Sequence, residues 1–126
     1  MPDHQTVSVL IVEDFAPIRR RLRSLLSESA GIEVVGEAGT IAEARRHFTA
    51  SQPAAVILDI QMPDGSGIDL IRTFKEASPT CTVIVLTSHG AKEYREACMR
   101  LGADHFLNKA FEFERVVTTL ESLRPA

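Results

Sequence analysis

The chain has 126 residues, of which 44% are hydrophobic and 25% charged, and its formal net charge is -3. That length and apolar share suit one compact domain with its own core. The negative net charge argues against bulk electrostatic attachment to nucleic acid or to an anionic membrane, so we expect neither contact. The first residues lack a secretory-signal pattern, and two cysteines are too few for a disulfide framework. We therefore expect a cytoplasmic, single domain spanning residues 1–126, with a core from about residue 6 to residue 123.

Short apolar runs alternate with amphipathic segments along the chain. The runs are typical of buried strands, and the segments repeat apolar residues at helical spacing. Thr40 and Glu43 predict a capping box for the second helix, and the last helix is expected to end near Leu123. In chain order, the predicted elements are strand Val7–Val12, a helix with Ile18, Leu22 and Leu26, strand Val34–Ala38, a helix with Ile41, Ala44 and Phe48, strand Ala54–Leu58, helix Gly67–Ala77, strand Thr82–Leu86, a helix with a core-facing stripe of Tyr94, Cys98 and Leu101, strand Phe106–Leu107, and a helix with Phe113, Val116 and Leu120.

This alternation predicts an α/β fold of the (βα)5 type, because helical crossovers between parallel strands cover a sheet on both faces. Five such units predict a doubly wound, five-stranded parallel sheet in the order 2-1-3-4-5. Ligands of such sheets bind at the carboxyl ends of the strands.

Polar residues follow four of the predicted strands at those ends. Strand 1 is followed by Glu13 and Asp14, strand 3 by Asp59, and strand 4 ends in Thr87 and Ser88. Strand 5 leads to Lys109. Each residue alone would be read as a solvated turn residue, a cap or a surface charge. Complementary groups at four ends of one sheet edge are instead typical of a site.

The expected chemistry is phosphoryl transfer assisted by a metal ion. Clustered carboxylates repel one another unless a cation intervenes, and Mg²⁺ prefers oxygen ligands. We expect Asp14 and Asp59 as direct ligands and Glu13 acting through water. Asp59 can form an acyl phosphate, while Lys109 and the Thr87 hydroxyl can bind phosphoryl oxygens.

The same residues resemble the receiver domain of bacterial two-component response regulators over nearly the whole chain. The matching motifs are Val9-Leu10-Ile11-Val12-Glu13-Asp14, Asp59-Ile60-Gln61-Met62-Pro63 with Gly67, Leu86-Thr87-Ser88, and Gly102-Ala103 with Phe106-Leu107 and Lys109. The resemblance implies a flavodoxin-like fold and a phosphoacceptor switch that is not an enzyme in the ordinary sense. The implied phosphoacceptor is Asp59, and the implied donor is a histidine kinase or a histidine phosphotransfer protein.

Further roles are implied by the resemblance alone. Mg²⁺ would bind Asp14, Asp59 and the backbone carbonyl of Gln61, and Thr87 and Phe106 would act as switch residues. The surface of the fourth helix, fifth strand and fifth helix would then change, and a homodimer is compatible with this picture. Gln61, Ser88 and His89 would border the site. The segment Val34–Ala38 resembles receivers that carry a helix-turn-helix DNA-binding output domain.

The chain departs from the family in one place, because Ala110 follows Lys109 where receivers usually have proline after a cis bond. A non-proline cis bond costs about 2.5–4 kcal/mol, so we predict a trans bond between Lys109 and Ala110. A degenerate receiver that only binds proteins is therefore one alternative. The others are an FMN-binding flavodoxin, which would need a glycine-rich phosphate loop, and a haloacid-dehalogenase phosphatase, which would need a DxD pair.

The first predicted helix is unusually basic, with Arg19, Arg20, Arg21 and Arg23. A solvated face is the favoured interpretation. A docking surface for an acidic kinase partner is the alternative.

Overall fold

The computed structural model describes residues 6–88 and 92–123 of the chain. In chain order, its elements are β1 Val7–Val12, α1 Ala16–Ser27, β2 Ile32–Ala38, α2 Ile41–Ser51, β3 Ala55–Leu58, β4 Gln61–Met62, β5 Gly65–Ser66, α3 Ile68–Ala77, β6 Thr82–Thr87, α4 Lys92–Arg100, β7 His105–Asn108 and α5 Arg115–Glu121.

The main sheet has five parallel strands in the order β2-β1-β3-β6-β7. Strands β6 and β7 are the predicted fourth and fifth strands, so the predicted α/β class and the order 2-1-3-4-5 are confirmed. The short strands β4 and β5 pair with each other as an antiparallel hairpin directly after Asp59. This hairpin is not predicted from the sequence, because two-residue strands are too short to show a period.

Alternate side chains of each central strand enter two separate cores, as expected for a strand covered on both faces. On one face Leu10 and Val12 of β1 pack with residues of α2, α3 and α4. On the other face Val9 and Ile11 pack with residues of α1 and α5. Both cysteines are free and buried in or beside the first core, and burial raises the pKa of Cys81 to about 11.

Several helix and strand ends differ from the predictions. Pairing with Val7 extends β2 back to Ile32. Helix α5 ends at Glu121 rather than near Leu123, because the Leu123 amide bonds the Leu120 carbonyl in a tighter final turn. The prediction that Tyr94 of the fourth helix faces the core is wrong, because Tyr94 is 39% exposed, whereas Cys98 is fully buried. Tyr94 instead lines a cavity beside the β4–β5 hairpin.

The predicted capping box of α2 is confirmed in its main bond, in which the Glu43 amide donates to Thr40 Oγ1 at 3.0 Å. The Glu43 carboxylate turns back to accept the Gly39 amide at 2.7 Å. Asp64, from the turn between β4 and β5, adds a second cap. Its carboxylate oxygens accept the Ile41 and Ala42 amides at 2.8 and 3.3 Å. The hairpin is thereby tied to the start of α2.

Within the described parts of the chain, every helix is too short or too polar to cross a bilayer.

Candidate functional site

The ends of four parallel strands place the predicted site residues at one edge of the sheet. Val12 of β1 is in register with Leu58 of β3, and Leu58 is in register with Val85 of β6. Thr87 is in turn in register with Asn108 of β7. The residues that follow these positions therefore meet above the sheet, as the sequence analysis expected.

Lys109 lies between two buried carboxylates. Its Nζ is 2.7 Å from Glu13 Oε1 and 2.8 Å from Asp59 Oδ2. Glu13 is 2% exposed and Asp59 is 6% exposed. In the described residues every peptide bond is trans, including the bond from Lys109 to Ala110, so that prediction is confirmed. The missing proline does not prevent the lysine from reaching the site.

Burial and ion pairing have opposite effects on the pKa values of Glu13 and Lys109. Burial, partly offset by the bonds from Lys109 and from the Phe15 amide, raises the pKa of Glu13. Burial alone would lower the pKa of Lys109, but hydrogen bonds to Asp59 and Glu13 outweigh it and raise that pKa. Because its pKa is raised, the ammonium group of Lys109 stays charged and can form ion pairs with both carboxylates.

Asp14 completes a cluster of three carboxylates. One carboxylate oxygen each from Glu13, Asp14 and Asp59 can be chosen so that all lie within 4.8 Å of one another, and Asp14 is exposed to solvent. Lys109 balances only part of their charge. An all-oxygen donor set with excess negative charge fits a hard divalent cation such as Mg²⁺, so the cluster could hold a metal ion.

The loop after Asp59 folds tightly against it. The Gln61 amide donates to Asp59 Oδ1 at 3.1 Å. The Gly67 amide bonds the Ile60 carbonyl at 2.7 Å, and a Cβ at position 67 would lie only 3.0 Å from the Asp59 carbonyl oxygen. Only glycine fits there without a shift, which explains the glycine at this point of the motif.

The predicted switch residues are both buried. Thr87 is 0% exposed, and its carbonyl accepts the Lys109 amide at 3.0 Å. Phe106 is 7% exposed, and the Arg95 guanidinium carbon lies 5.8 Å from the centre of its ring. Ser88 is exposed at the end of β6. His89, the other residue predicted to border the site, lies outside the described residues.

Arg19 is a residue whose role the sequence analysis missed. The interpretation of the basic helix as a solvated face is wrong for this residue. Its Nη1 donates to the Glu13 carbonyl at 2.8 Å, and its Nε lies 3.3 Å from Glu37 Oε1. Arg19 follows Glu13 by six residues and Asp14 by five, and this spacing indicates a contact only once the turn before α1 is known.

Comparison with known proteins identifies the family. The family model described as the response regulator receiver domain matches residues 9–121. The chain belongs to the response regulator receiver family. The receiver is 35% identical over 115 residues to the chemotaxis protein CheY of Thermotoga maritima, covering 91% of this chain and 95% of that protein. A phosphoacceptor switch is the role of this family, whose members work with histidine kinases.

Two other relatives are longer than this receiver. The DNA-binding transcriptional activator DevR/DosR of Mycobacterium tuberculosis is 36% identical over 82% of the chain, which spans 48% of that protein. The photosynthetic apparatus regulatory protein RegA of Cereibacter sphaeroides is 33% identical over 94% of the chain, which spans 65% of it. The chain thus covers between about half and two thirds of these two relatives.

A solved structure agrees with the fold. The receiver domain dimer of NtrC4, solved in its beryllofluoride-activated form, superposes with a TM-score of 0.81 at 35% identity, covering 91% of this chain and 93% of that one. Membership of the receiver family decides against the flavodoxin and dehalogenase alternatives.

Proposed function

We propose that this receiver accepts a phosphoryl group on Asp59 from a phosphohistidine of a histidine kinase or a histidine phosphotransfer protein, in a reaction that requires Mg²⁺. The observation that carries the proposal is the ammonium group of Lys109, held 2.8 Å from Asp59 Oδ2 beside a cluster of three carboxylates. A cationic group at that distance from the acceptor oxygen can form ion pairs with the oxygens of a phosphoryl group on Asp59.

The residues that would hold Mg²⁺ are the carboxylates of Asp14 and Asp59 and the backbone carbonyl of Gln61, with Glu13 acting through water. The bound cation would offset the charge of the carboxylates and of the incoming phosphoryl oxygens. Both carboxylate oxygens of Glu13 already have partners, Lys109 and the Phe15 amide at 3.0 Å, which favours an indirect role for this residue.

The chain's own residues carry out the transfer in one substitution at phosphorus. A carboxylate oxygen of Asp59 forms a bond to phosphorus as the bond from phosphorus to the imidazole nitrogen breaks, and the electron pair of that bond stays on the nitrogen. Lys109 and the Thr87 hydroxyl then bind phosphoryl oxygens. The Gln61 amide, bonded to Asp59 Oδ1, orients the carboxylate for attack.

Mass spectrometry after brief exposure to acetyl phosphate or to a phosphohistidine donor tests this proposal. We expect one added phosphoryl group that depends on Mg²⁺ and is labile to hydroxylamine. Asp59→Asn should abolish the adduct, and Asp14→Ala should slow its formation severely. Thr87→Ala should leave labelling largely intact. If several donors give no Mg²⁺-dependent adduct, or if the adduct survives Asp59→Asn, the degenerate-receiver alternative replaces this proposal.

We propose that phosphorylation is read out through the surface of α4, β7 and α5. Thr87 lies on β6 two residues after Val85, whose register partner on β7 is Phe106, so we expect movement of the Thr87 side chain to alter the packing around Phe106. Hydrogen exchange with and without beryllofluoride tests this readout. We expect changes in α4, β7 and α5, whereas changes confined to the loops around Asp59 would indicate a passive acceptor.

We propose that residues 1–126 form one receiver domain with its core in residues 6–123, that it acts in the cytoplasm, and that it does not itself contact nucleic acid or membrane. Homodimer formation is compatible with this role, as is signal output through a DNA-binding partner domain. It would act stoichiometrically, with only slow self-phosphorylation and autodephosphorylation. Gln61 and His89 would tune the lifetime of the acyl phosphate, and Ser88 would border the site.

A further inference from the structure

We propose that Arg19 is a positioning residue that holds the backbone of Glu13 and Asp14 so that their carboxylates face Asp59. The inference rests on the proposed Mg²⁺ site, which it deepens. Arg19 would act through the backbone of the acidic pair and would not itself bind the cation or the phosphoryl group.

The contacts of one guanidinium group carry the inference. Arg19 Nη1 donates to the Glu13 carbonyl at 2.8 Å and lies 3.5 Å from the Asp14 carbonyl. Two consecutive carbonyls are thus drawn toward one donor in α1. Because both carbonyl oxygens point to α1, the orientation of the peptide that joins the two acidic residues is restricted.

The guanidinium group is itself anchored from the neighbouring strand. Its Nε lies 3.3 Å from Glu37 Oε1 in β2, and both side chains are 25% exposed. The Glu13 amide also bonds the Ala38 carbonyl at 2.9 Å, next to Glu37. The acidic loop is therefore held from both sides, by β2 through its amide and by Arg19 through its carbonyls. A guanidinium group that is held through two of its nitrogens has fewer orientations than the guanidinium group of a solvated arginine.

Arg23 provides a matched control within the same helix. It lies one turn after Arg19 and also forms an ion pair with Glu37, through its own Nη1. Among the described contacts it makes none with the carbonyls of the acidic loop. Substituting either arginine with methionine removes the same charge and one ion pair to Glu37, but only the Arg19 substitution releases the loop.

Charge and positioning predict opposite results for this substitution. Removing a positive charge near an anionic cluster should tighten the binding of a cation, because it removes repulsion. Releasing the loop should weaken binding, because the carboxylates must then be ordered when the cation binds. The sign of the change in Mg²⁺ affinity therefore separates the two roles.

The test is a Mg²⁺ titration of the protein without any phosphodonor, followed by the amide NMR signals of Asp14 and Asp59. We expect Arg19→Met to weaken Mg²⁺ binding by roughly tenfold, the lower end of the effect of residues that orient metal ligands. Arg23→Met should leave the affinity unchanged or slightly tighter. Before Mg²⁺ is added, hydrogen exchange of the Phe15 amide should be faster in Arg19→Met, since this amide bonds the Glu13 carboxylate.

Arg19→Lys keeps the charge but cannot donate to the Glu13 carbonyl and to Glu37 with the same planar geometry, so it should also weaken Mg²⁺ binding. This variant decides the question if Arg19→Met fails to fold. Parent-like affinity in Arg19→Lys, or unchanged or tighter binding in a folded Arg19→Met, would overturn the inference. If the parent protein binds no Mg²⁺ at this cluster, the proposed function itself fails, which is a different outcome.

Discussion

Lys109 is the residue on which the charge balance of the site depends. It is 16% exposed and contacts two carboxylates that are almost fully buried. A buried carboxylate that loses its cationic partner must be neutralised or hydrated, and either change costs free energy in the folded state. The lysine thus supports the folded state as well as the proposed transfer.

We expect Lys109→Met to lower the free energy of unfolding by about 1–3 kcal/mol, below the range for a fully buried pair because the lysine keeps some exposure. Excess Mg²⁺ should restore more stability in this variant than in the parent protein, since the carboxylates remain. Urea denaturation with and without Mg²⁺ measures both effects. Lys92→Met is the control, because Lys92 is 84% exposed and its loss should change little. Equal losses in the two variants would contradict the assignment.

At the scale of the elements, the start of α2 is held by residues from two parts of the chain. Thr40 caps it locally, and Asp64 caps it from the β4–β5 turn. The backbone bonds, chiefly that from Ile41, lower the pKa of Asp64. A carboxylate whose pKa is lowered on folding stabilises the folded state above its unfolded pKa, and this contribution is lost as the pH falls through the lowered value.

We expect Asp64→Asn to be less stable than the parent protein near neutral pH, with a difference that shrinks in acid below the ordinary aspartate pKa. Urea denaturation at neutral and acid pH measures the difference. Glu33→Gln makes the same change of charge at an exposed position of β2 and should show no such pH-dependent loss. A difference between Asp64→Asn and parent that is constant with pH would show that the carboxylate does not cap α2.

At the scale of the whole molecule, two cores on opposite faces of one sheet hold the strands in register. The core under α2, α3 and α4 contains a stacked pair of aromatic rings, Phe48 and Phe74, whose centroids are 4.1 Å apart. Phe74 is 1% exposed. This stack joins α2 to α3, the two helices that flank the loop after Asp59.

We expect Phe74→Ala to lower the free energy of unfolding by about 3–5 kcal/mol, because it removes a buried ring and leaves a cavity. Phe111 offers the matched control, since it is 88% exposed and Phe111→Ala should have little effect on stability. Equilibrium urea denaturation of both variants makes the comparison. Similar midpoints for the two variants would show that the stack does not hold the core together.

Local patterns in the sequence were enough to predict the fold class and the grouping of the acidic residues. Runs such as Val7–Val12 carry their strand signal locally, and parallel strands with helical crossovers allow few topologies. Since the carboxyl ends of parallel strands share one edge, Asp14, Asp59 and Lys109 had to lie near one another. The capping box at Thr40 was equally local, because its partner lies within one helical turn.

The contacts that join distant parts of the chain could be identified only in the folded molecule. Asp64 caps α2 from a separate hairpin, and Arg19 contacts the carbonyl of Glu13 across the turn before α1. Neither contact has a sequence period, because each depends on how a loop bends. The exposure of Tyr94 likewise depends on tertiary structure, because this residue lines a cavity beside the β4–β5 hairpin. A helical stripe indicates which residues share a face of the helix, but it does not indicate how much of that face a neighbouring element covers.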